Sequence, residues 1–403
     1  MVRTLLPFVC ILPATAYSLI SLACGRRFFK GEKGKPSSYP SPPKGRRDAV
    51  HPLPLGEGGQ RPGEGVTILK PVKGVDAGSY ANFASFCGQE YPGLVQILFA
   101  AASADDPVIP VIRKLMEDHP GHDISLVINP AIHGPNYKVS NLINAFPRAR
   151  HDLIIVCDSD IRVPSNYLAS VTAHFSDPRV GLVTSLYRTS LVRNIATAVE
   201  ATGFTGEMIP NVLVALHLEG LSFALGASMA VRREALAAIG GFQALADYLA
   251  DDYQLGNKIH RAGWQIALDG CFVESMVRAE SLPTVLSRQL RWARTMRVSR
   301  PGGYLASGIT LPFPAALLAA IAAPTPPLAL AAIGLLYAVR LFVATTFSRS
   351  FVADNLLPRW LWLIPVRDML AFCTWALSFL GNRVEWRGSR FRLRPGGRIE
   401  EIA

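Results

Sequence analysis

The sequence predicts an α/β protein in which a mostly parallel sheet, covered by helices on both faces, is framed by N-terminal and C-terminal transmembrane helices. Three observations carry that expectation. In the middle of the chain, short runs that are apolar throughout alternate with segments of helical spacing, the pattern of a parallel sheet buried on both sides. At the start lies a charge-free apolar run of about the twenty residues that a helix needs to cross a bilayer. The apolar fraction of 50% and the mean hydropathy of +0.25 are high for a soluble protein, and the excess is gathered at the two ends.

The opening run spans residues 4 to 24, TLLPFVCILPATAYSLISLAC, and Arg26, Arg27 and Lys30 follow at once. By the positive-inside rule that flank is cytoplasmic and the N-terminus lies outside. A cleaved signal peptide competes with a retained anchor, because Arg3 and the Ala23-Cys24-Gly25 stretch loosely fit one; the large domain that follows favours the anchor. Residues 31 to 65, rich in Pro, Gly and charge, cannot bury enough apolar surface to fold and read as a disordered linker. From Val66 strands are expected at 66–71 (VTILKP), 95–101 (VQILFAA), 124–130 (ISLVINP) and 152–160 (DLIIVCDSD), with a helix over 108–119. A sheet of this kind binds ligands beyond the carboxyl ends of its strands. The apolar segment 195–225 reads as a packed pair of core helices, or as a surface that docks on the bilayer.

After Gly302, spans are expected near 305–323, 326–347 and 361–381, followed by a basic tail, WRGSRFRLRPGGR, at 386–398. That tail belongs inside, yet three spans would put it outside. Either one segment is re-entrant or interfacial, as Pro312, Pro314, Pro324, Pro326 and Pro327 permit, or the tail breaks the rule. Arg340 and the Arg367–Asp368 pair are too costly to face lipid and should face protein, water or headgroups. The expected domains are thus an anchor at 1–30, the linker at 31–65, an α/β domain at 66–302, transmembrane or interfacial helices at 303–385 and the tail at 386–403.

The formal charge of +11 comes from Lys and Arg scattered along the chain, with clusters beside the apolar segments, so anionic lipid headgroups are the simpler partner. No basic face interleaved with aromatics is present, which argues against nucleic acid. Cys10, Cys24, Cys87, Cys157, Cys271 and Cys373 lie far apart with no C-x-x-C pair, against a zinc site or a disulfide framework.

Acidic residues carry the chemistry. Asp158-Ser159-Asp160 directly follows an apolar strand, where two carboxylates reach the ligand edge; magnesium or manganese wants such hard oxygen ligands, with Asp160 as ligand and Asp158 meeting a ribose or the metal shell. A solvated turn has the same sequence. Asp105-Asp106 after the second strand can accept hydrogen bonds from a nucleoside, or can cap the helix behind Pro107. Lys138 and Asn141, in GPNYKVSNL, can reach phosphates or a base, though an ordinary surface lysine fits the spacing equally. Asp251-Asp252 opens an amphipathic helix; Asp252 is the candidate general base, with dipole decoration as its alternative. Arg288-Gln289-Leu290-Arg291-Trp292 offers guanidinium forks for a diphosphate and a flat wall for a sugar, or forms a basic helix on a membrane surface.

Taken in order, these pieces resemble the inverting nucleotide-sugar glycosyltransferases of family 21, the ceramide glucosyltransferase family. The resemblance runs from about Val66 to the C-terminus and includes GPNYKVSNL, CDSDIRV, GGF and RFRLRPGG. Within that group, SNLINAFPRARHDLIIVCDSDIRV, LADDYQLG and LRWARTMR are most similar to bacterial hopanoid-biosynthesis glycosyltransferases. The resemblance implies a GT-A type, nucleotide-sugar-binding mixed sheet, a divalent Mg or Mn ion at Asp160, and donor contacts from Asp105, Asp106, Lys138, Asn141, Asp158, Arg288, Arg291 and Trp292. It implies transfer of one sugar from UDP-N-acetylglucosamine or UDP-glucose to a membrane lipid, with bacteriohopanetetrol first and ceramide as the alternative. The expected place is a bacterial cell membrane, multi-pass, with the catalytic domain cytoplasmic. A processive polysaccharide synthase shares the acidic logic but needs a channel of more helices, and a non-catalytic lipid-binding protein would have no use for the intact acidic set.

Overall fold

The computed structural model describes residues 2–31, 64–189, 191–276, 280–354 and 357–402, so the linker expected over 31–65 falls almost wholly outside the described residues. The chain divides into two compact units: a sheet unit, residues 38–189 and 219–278, and a helical unit, residues 1–37, 190–218 and 279–403. Residues 190–218 and 279–302, grouped by sequence with the α/β domain, thus cluster with the apolar helices.

The strands are β1 (Val66–Pro71), β2 (Val95–Ala101), β3 (Asp123–Ile128), β4 (Leu153–Cys157), β5 (Ile161–Arg162), β6 (Val180–Arg188), β7 (Ser228–Arg232), β8 (Gln265–Ser275), β9 (Arg383–Trp386), β10 (Ser389–Leu393) and β11 (Ile399–Ile402). The principal helices are α1 (Val2–Gly31), α2 (Ser79–Ala84), α3 (Ile109–Asp118), α4 (Tyr137–Ala145), α5 (Tyr167–Ala173), α6 (Ile195–Gly203), α7 (Ile209–Glu219), α8 (Arg233–Ala238) and α9 (Asp251–Arg261). They continue with α10 (Leu282–Ser299), α11 (Pro301–Ser307), α12 (Pro312–Ala322), α13 (Pro326–Thr346), α14 (Leu357–Trp360) and α15 (Ile364–Ser378).

In the sheet unit the first eight strands form one sheet in the order β3-β2-β1-β4-β7-β6-β8-β5. β1 runs parallel to β2 and β4, β2 to β3, and β6 to β8, whereas β7 is antiparallel to β4 and β6, and β5 to β8. The sheet is therefore mixed and mostly parallel. β1 and β4 are apolar almost throughout because both faces are covered: Ile68, Ile155 and Phe99 pack with Phe83, Ile112, Leu115 and Phe175 from the helices. Each such fully buried side chain contributes about 1.5–3 kcal/mol.

In the helical unit α1, α12 and α13 pack through Ala14, Ala315, Ala316, Ala319 and Ala332, with Ile11 and Leu336; small residues let apolar helices approach closely where lipid replaces water. Among the described residues, three helices can cross a membrane by length and composition, over Arg3–Gly31, Pro326–Val352 and Leu357–Ser378. The span expected at 305–323 is instead a pair, Pro301–Thr310 and Pro312–Ala322, bent by 49°. Pro312 occupies the first turn of α12, where its missing N–H costs nothing. The 195–225 segment is helical through Glu219, with a π-helical turn at Phe204–Met208 joining α6 to α7. Arg340 faces protein, its guanidinium donating to Asp368 at 2.9 and 3.3 Å and to the Gly206 carbonyl at 2.7 Å. Arg367 likewise meets Glu207 at 2.8 Å and the Gln289 side-chain oxygen at 2.7 Å.

The basic tail is not featureless. β9, β10 and β11 form an antiparallel sheet whose first hairpin turns on Arg387 (φ 49°) and Gly388 (φ 89°) between the paired Trp386 and Ser389. Two positive φ values in succession match the right-handed strand twist. Val384, Phe391, Leu393 and Ile399 point inward while the arginines alternate outward.

Candidate active site

Because β1, β2, β3 and β4 run parallel, their carboxyl ends share one edge, and the antiparallel β7 brings its amino end there too, with Ser228 opposite Cys157. Five loops meet at this edge: those after β1, β2, β3 and β4, and the one before β7. The sequence Asp158-Ser159-Asp160 follows β4 directly. It is held from beneath by Lys70, the penultimate residue of β1, whose Nζ donates to the Asp158 carbonyl at 3.0 Å and lies 4.0 Å over the Phe86 ring. Lys70 is fully buried, and burial pushes its pKa down, with Cys157, Asp158 and Asp160 working in the opposite sense. Ser159 in turn donates to Asp76 at 2.5 Å, drawing a third carboxylate to the turn.

Asn136 ties the second acidic pair into the same place. Its side-chain oxygen caps α4 by accepting from the Val139 N–H at 3.1 Å, its side-chain nitrogen donates to the Tyr248 carbonyl at 2.7 Å, and its backbone N–H donates to Ala246 at 3.0 Å. Gly134 permits this contact, since a Cβ there would lie 2.7 Å from the Ala246 carbonyl oxygen. The start of α4 is thus laid against the segment leading into α9. Lys138 consequently stands between the two acidic pairs, 2.8 Å from Asp158 and 3.0 Å from Asp251. Burial works against its charge, but Asp158 and Asp251 more than offset this and hold its pKa above the ordinary lysine value.

Asp252 accepts from the Tyr253 N–H at 2.7 Å and faces Gly226, where a Cβ would come within 2.8 Å of its carboxylate. One turn further along α9, a Cβ on Gly256 would lie 2.4 Å from the Ala224 nitrogen, so the loop 223–226 rests directly on the helix. Burial and the Asp251 charge push Asp252 up to about 6. Burial, Asp158 and Asp76 push Asp160 up to about 6 as well. An all-oxygen donor set with excess negative charge fits a hard divalent cation, whose charge would relieve that repulsion.

Of the residues expected at the site, Lys138, Asp158 and Asp251 are in direct contact, and Asp160 and Asp252 both feel the Asp158 charge. Asn141 is buried on α4. Asp105 is exposed, its N–H donating to Ser103. Asp106 is committed elsewhere: its carboxylate accepts from the Gly74 N–H at 2.9 and 3.0 Å and from the Val108 N–H at 3.0 Å, fixing the loop after β1 and the start of α3. Arg288, Arg291 and Trp292 lie on α10 in the helical unit. The Arg288 fork is taken by Glu200, at 2.9 and 2.7 Å, and by Glu280 at 2.6 Å, an internal clasp within the helical unit. Trp292, 37% exposed, leans on Phe204. Lys70, Asp76, Asn136 and Gly226 were not expected; only Lys70 carried a local signal, as the one charge in an apolar strand.

A family model, that of Glycosyl transferase family 21, matches residues 6–399. Ceramide glucosyltransferase 3 of Caenorhabditis elegans is 26% identical over 347 residues, which cover 83% of this chain and 74% of that protein. Ceramide glucosyltransferase 1 of the same organism is 28% identical over 205 residues, covering 51% of this chain and 44% of that protein. Among solved structures, a mannosyltransferase from Pyrobaculum calidifontis in complex with GDP-Man and Mn2+ superposes with a TM-score of 0.50 at 15% identity, covering 94% of this chain and 99% of that one. At that identity the likeness shows the fold.

Proposed function

The chain belongs to glycosyl transferase family 21, and we propose that it moves one hexose from a UDP-sugar to the hydroxyl of a membrane lipid, with inversion at the anomeric carbon. It is a GT-A-fold glycosyltransferase with several apolar helices long enough to cross a membrane. The observation that carries the reading is Lys138, which ion-pairs with both Asp158 and Asp251 and so joins the strand-end turn to the start of α9.

Asp252 is the base: its carboxylate takes the proton of the acceptor hydroxyl as that oxygen attacks the anomeric carbon. A pKa near 6 leaves it ionised at neutral pH yet basic enough to accept a proton. Lys138 holds Asp158 and Asp251 in place and offsets their charge, so that Asp252 keeps its position beside Gly226. Asp105, exposed after β2, is the proposed nucleoside contact. Asp160, with Asp158, would hold a divalent Mg or Mn ion, which when bound offsets the charge developing on the departing diphosphate. The assignment of Arg291 to that diphosphate, and of Trp292 to the sugar, rests on the sequence motif.

The relatives named above are ceramide glucosyltransferases and favour ceramide as acceptor and glucose as the sugar; UDP as its carrier rests on the family resemblance, and the hopanoid reading, with UDP-N-acetylglucosamine, rests on sequence motifs alone. For topology, if the bent pair 301–322 does not cross, α1, α13 and the 357–378 span are the crossings. The tail then returns to the side of Arg26, Arg27 and Lys30, satisfying the positive-inside rule. We place that side in the cytoplasm.

The test is transfer by the purified protein in detergent. Ceramide with UDP-glucose should give a single-sugar lipid, and Asp252→Asn should lose at least about 10²-fold in turnover, the lower end of general-base contributions, while UDP still binds. Full turnover in that variant overturns the base assignment, transfer only to bacteriohopanetetrol overturns the acceptor, and a polymeric product overturns single transfer.

A further inference from the structure

At the opposite edge of the same sheet, where the parallel strands begin, three side chains from distant parts of the sequence meet. Cys87 lies in the turn after α2, His119 ends α3, and His122 directly precedes β3. One ligand atom from each, the Cys87 Sγ and a ring nitrogen of each histidine, falls within a mutual distance of 4.8 Å. The two imidazoles stand perpendicular, centroids 5.3 Å apart.

We propose that Cys87, His119 and His122 form a transition-metal site of zinc type, separate from the acidic rim. Thiolate and imidazole are the donors zinc selects, whereas magnesium and manganese prefer carboxylate and water. Three protein ligands leave a fourth tetrahedral position for water.

The local geometry is that of ligands already oriented. A backbone carbonyl can only accept, so the His122 Nε2, 3.0 Å from the Cys87 carbonyl, carries the proton in this arrangement, and Nδ1 is then the nitrogen with a lone pair. Zinc-binding histidines commonly donate their second nitrogen in this way, which fixes tautomer and ring orientation. The two histidines are held three residues apart by a tight His-Pro-Gly-His turn: the His119 N–H closes α3 on Leu115 at 3.0 Å, and the His122 N–H donates back to the His119 carbonyl at 3.1 Å. Cys87 is held by its own N–H on Ala84 at 3.0 Å. His122 is exposed and the other two half-buried, so an ion can enter from solvent.

Burial pushes the Cys87 thiol up to about 11. Binding displaces one proton, the thiol giving thiolate on the metal plus H⁺ in solution, so affinity rises with pH. An occupied site would clasp the turn after α2 to the α3–β3 turn and stabilise the sheet unit by mass action.

The test uses Co2+ as a probe on the purified full-length protein, because a thiolate ligand gives a sulfur-to-cobalt charge-transfer band that an all-carboxylate site cannot. The expected result is a band that saturates at one Co2+ per chain, is displaced by one equivalent of Zn2+, persists in Asp160→Asn and disappears in Cys87→Ser. His122→Ala should weaken binding at least tenfold. Retained glycosyl transfer in Cys87→Ser confirms that this variant is folded. No band in the wild type, or one that survives in Cys87→Ser, overturns the proposal; Co2+ that binds without the band and is lost in Asp160→Asn would place the ion at the acidic rim instead.

Discussion

In the sheet unit one ammonium, Lys138, faces Asp158 and Asp251, while Asp160 and Asp252 make no salt bridge among the described residues. In the helical unit Arg340 meets Asp368, Arg367 meets Glu207, and Arg288 meets Glu200 and Glu280, so every carboxylate named has a guanidinium on it. Both clusters bury acids against bases, but only the helical one, with three guanidiniums on four carboxylates, leaves no named acid without a base. Such pairing suits a segment of apolar helices, where a lone charge is costly. Burial, together with the surplus charge in the sheet unit, keeps two aspartates at about 6 and leaves negative charge for a cation and a proton to answer.

The comparison can be broken first at its fully paired end. Arg340→Met strands a buried Asp368 and should cost about 3–5 kcal/mol, read as a lower unfolding temperature in detergent; adding Asp368→Leu should recover most of the loss. Next, Lys138→Met removes the shared cation of the other cluster. With Asp158 and Asp251 repelling each other, turnover should fall about 10²-fold, as when a charged group that positions a base is lost, and single-turnover measurements with saturating donor would show it. An unchanged rate would make the two Lys138 ion pairs incidental to turnover.

Smaller effects sharpen the distinction. Asp252 must be ionised to act and its pKa is raised, so activity should be present above about 6 and lost as pH falls through it. A log plot of kcat/KM against pH should therefore drop about tenfold per unit on the acid side, and more steeply if Asp160 titrates in the same range. In Asp252→Asn that limb should reduce to the Asp160 contribution. Gly226→Ala would press a methyl group on the Asp252 carboxylate and should lower kcat by roughly 3- to 10-fold, about 1 kcal/mol of displaced base, with KM for the donor little changed. The Arg291 assignment is tested by Arg291→Lys, which keeps the charge and removes the planar fork.

Much of this fold is legible in local pattern. β1 and β2 occupy the expected residues, β3 and β4 lie within a few residues of expectation, and α3 fills all but the ends of the segment read as helical. β6, β7 and β8 went unread because their runs include Thr184, Ser185, Asp269 and Ser228, polar groups satisfied only by distant partners: Asp269 accepts from Ser170 at 2.6 Å, and Thr184 donates to Leu225 and Ser228 carbonyls at 3.1 Å. The tail strands were hidden by outward arginines that made them look merely basic. At the site, the aspartates could be named from their positions after strands and at a helix start, but their grouping could not, because Asn136, Gly134 and Gly226 act across gaps in sequence. The absence of C-x-x-C spacing likewise argued against zinc, while Cys87 finds its companions in a turn two elements downstream.

Gly256 bears on how firmly the proposed chemistry is tuned. With no side chain on that flank of α9, main chain meets main chain, and the backbone from which the Asp252 side chain extends is set against the loop 223–226 by atoms that have no rotamers to explore. Thermal jostling of side chains then changes what surrounds the base far more than where the base stands.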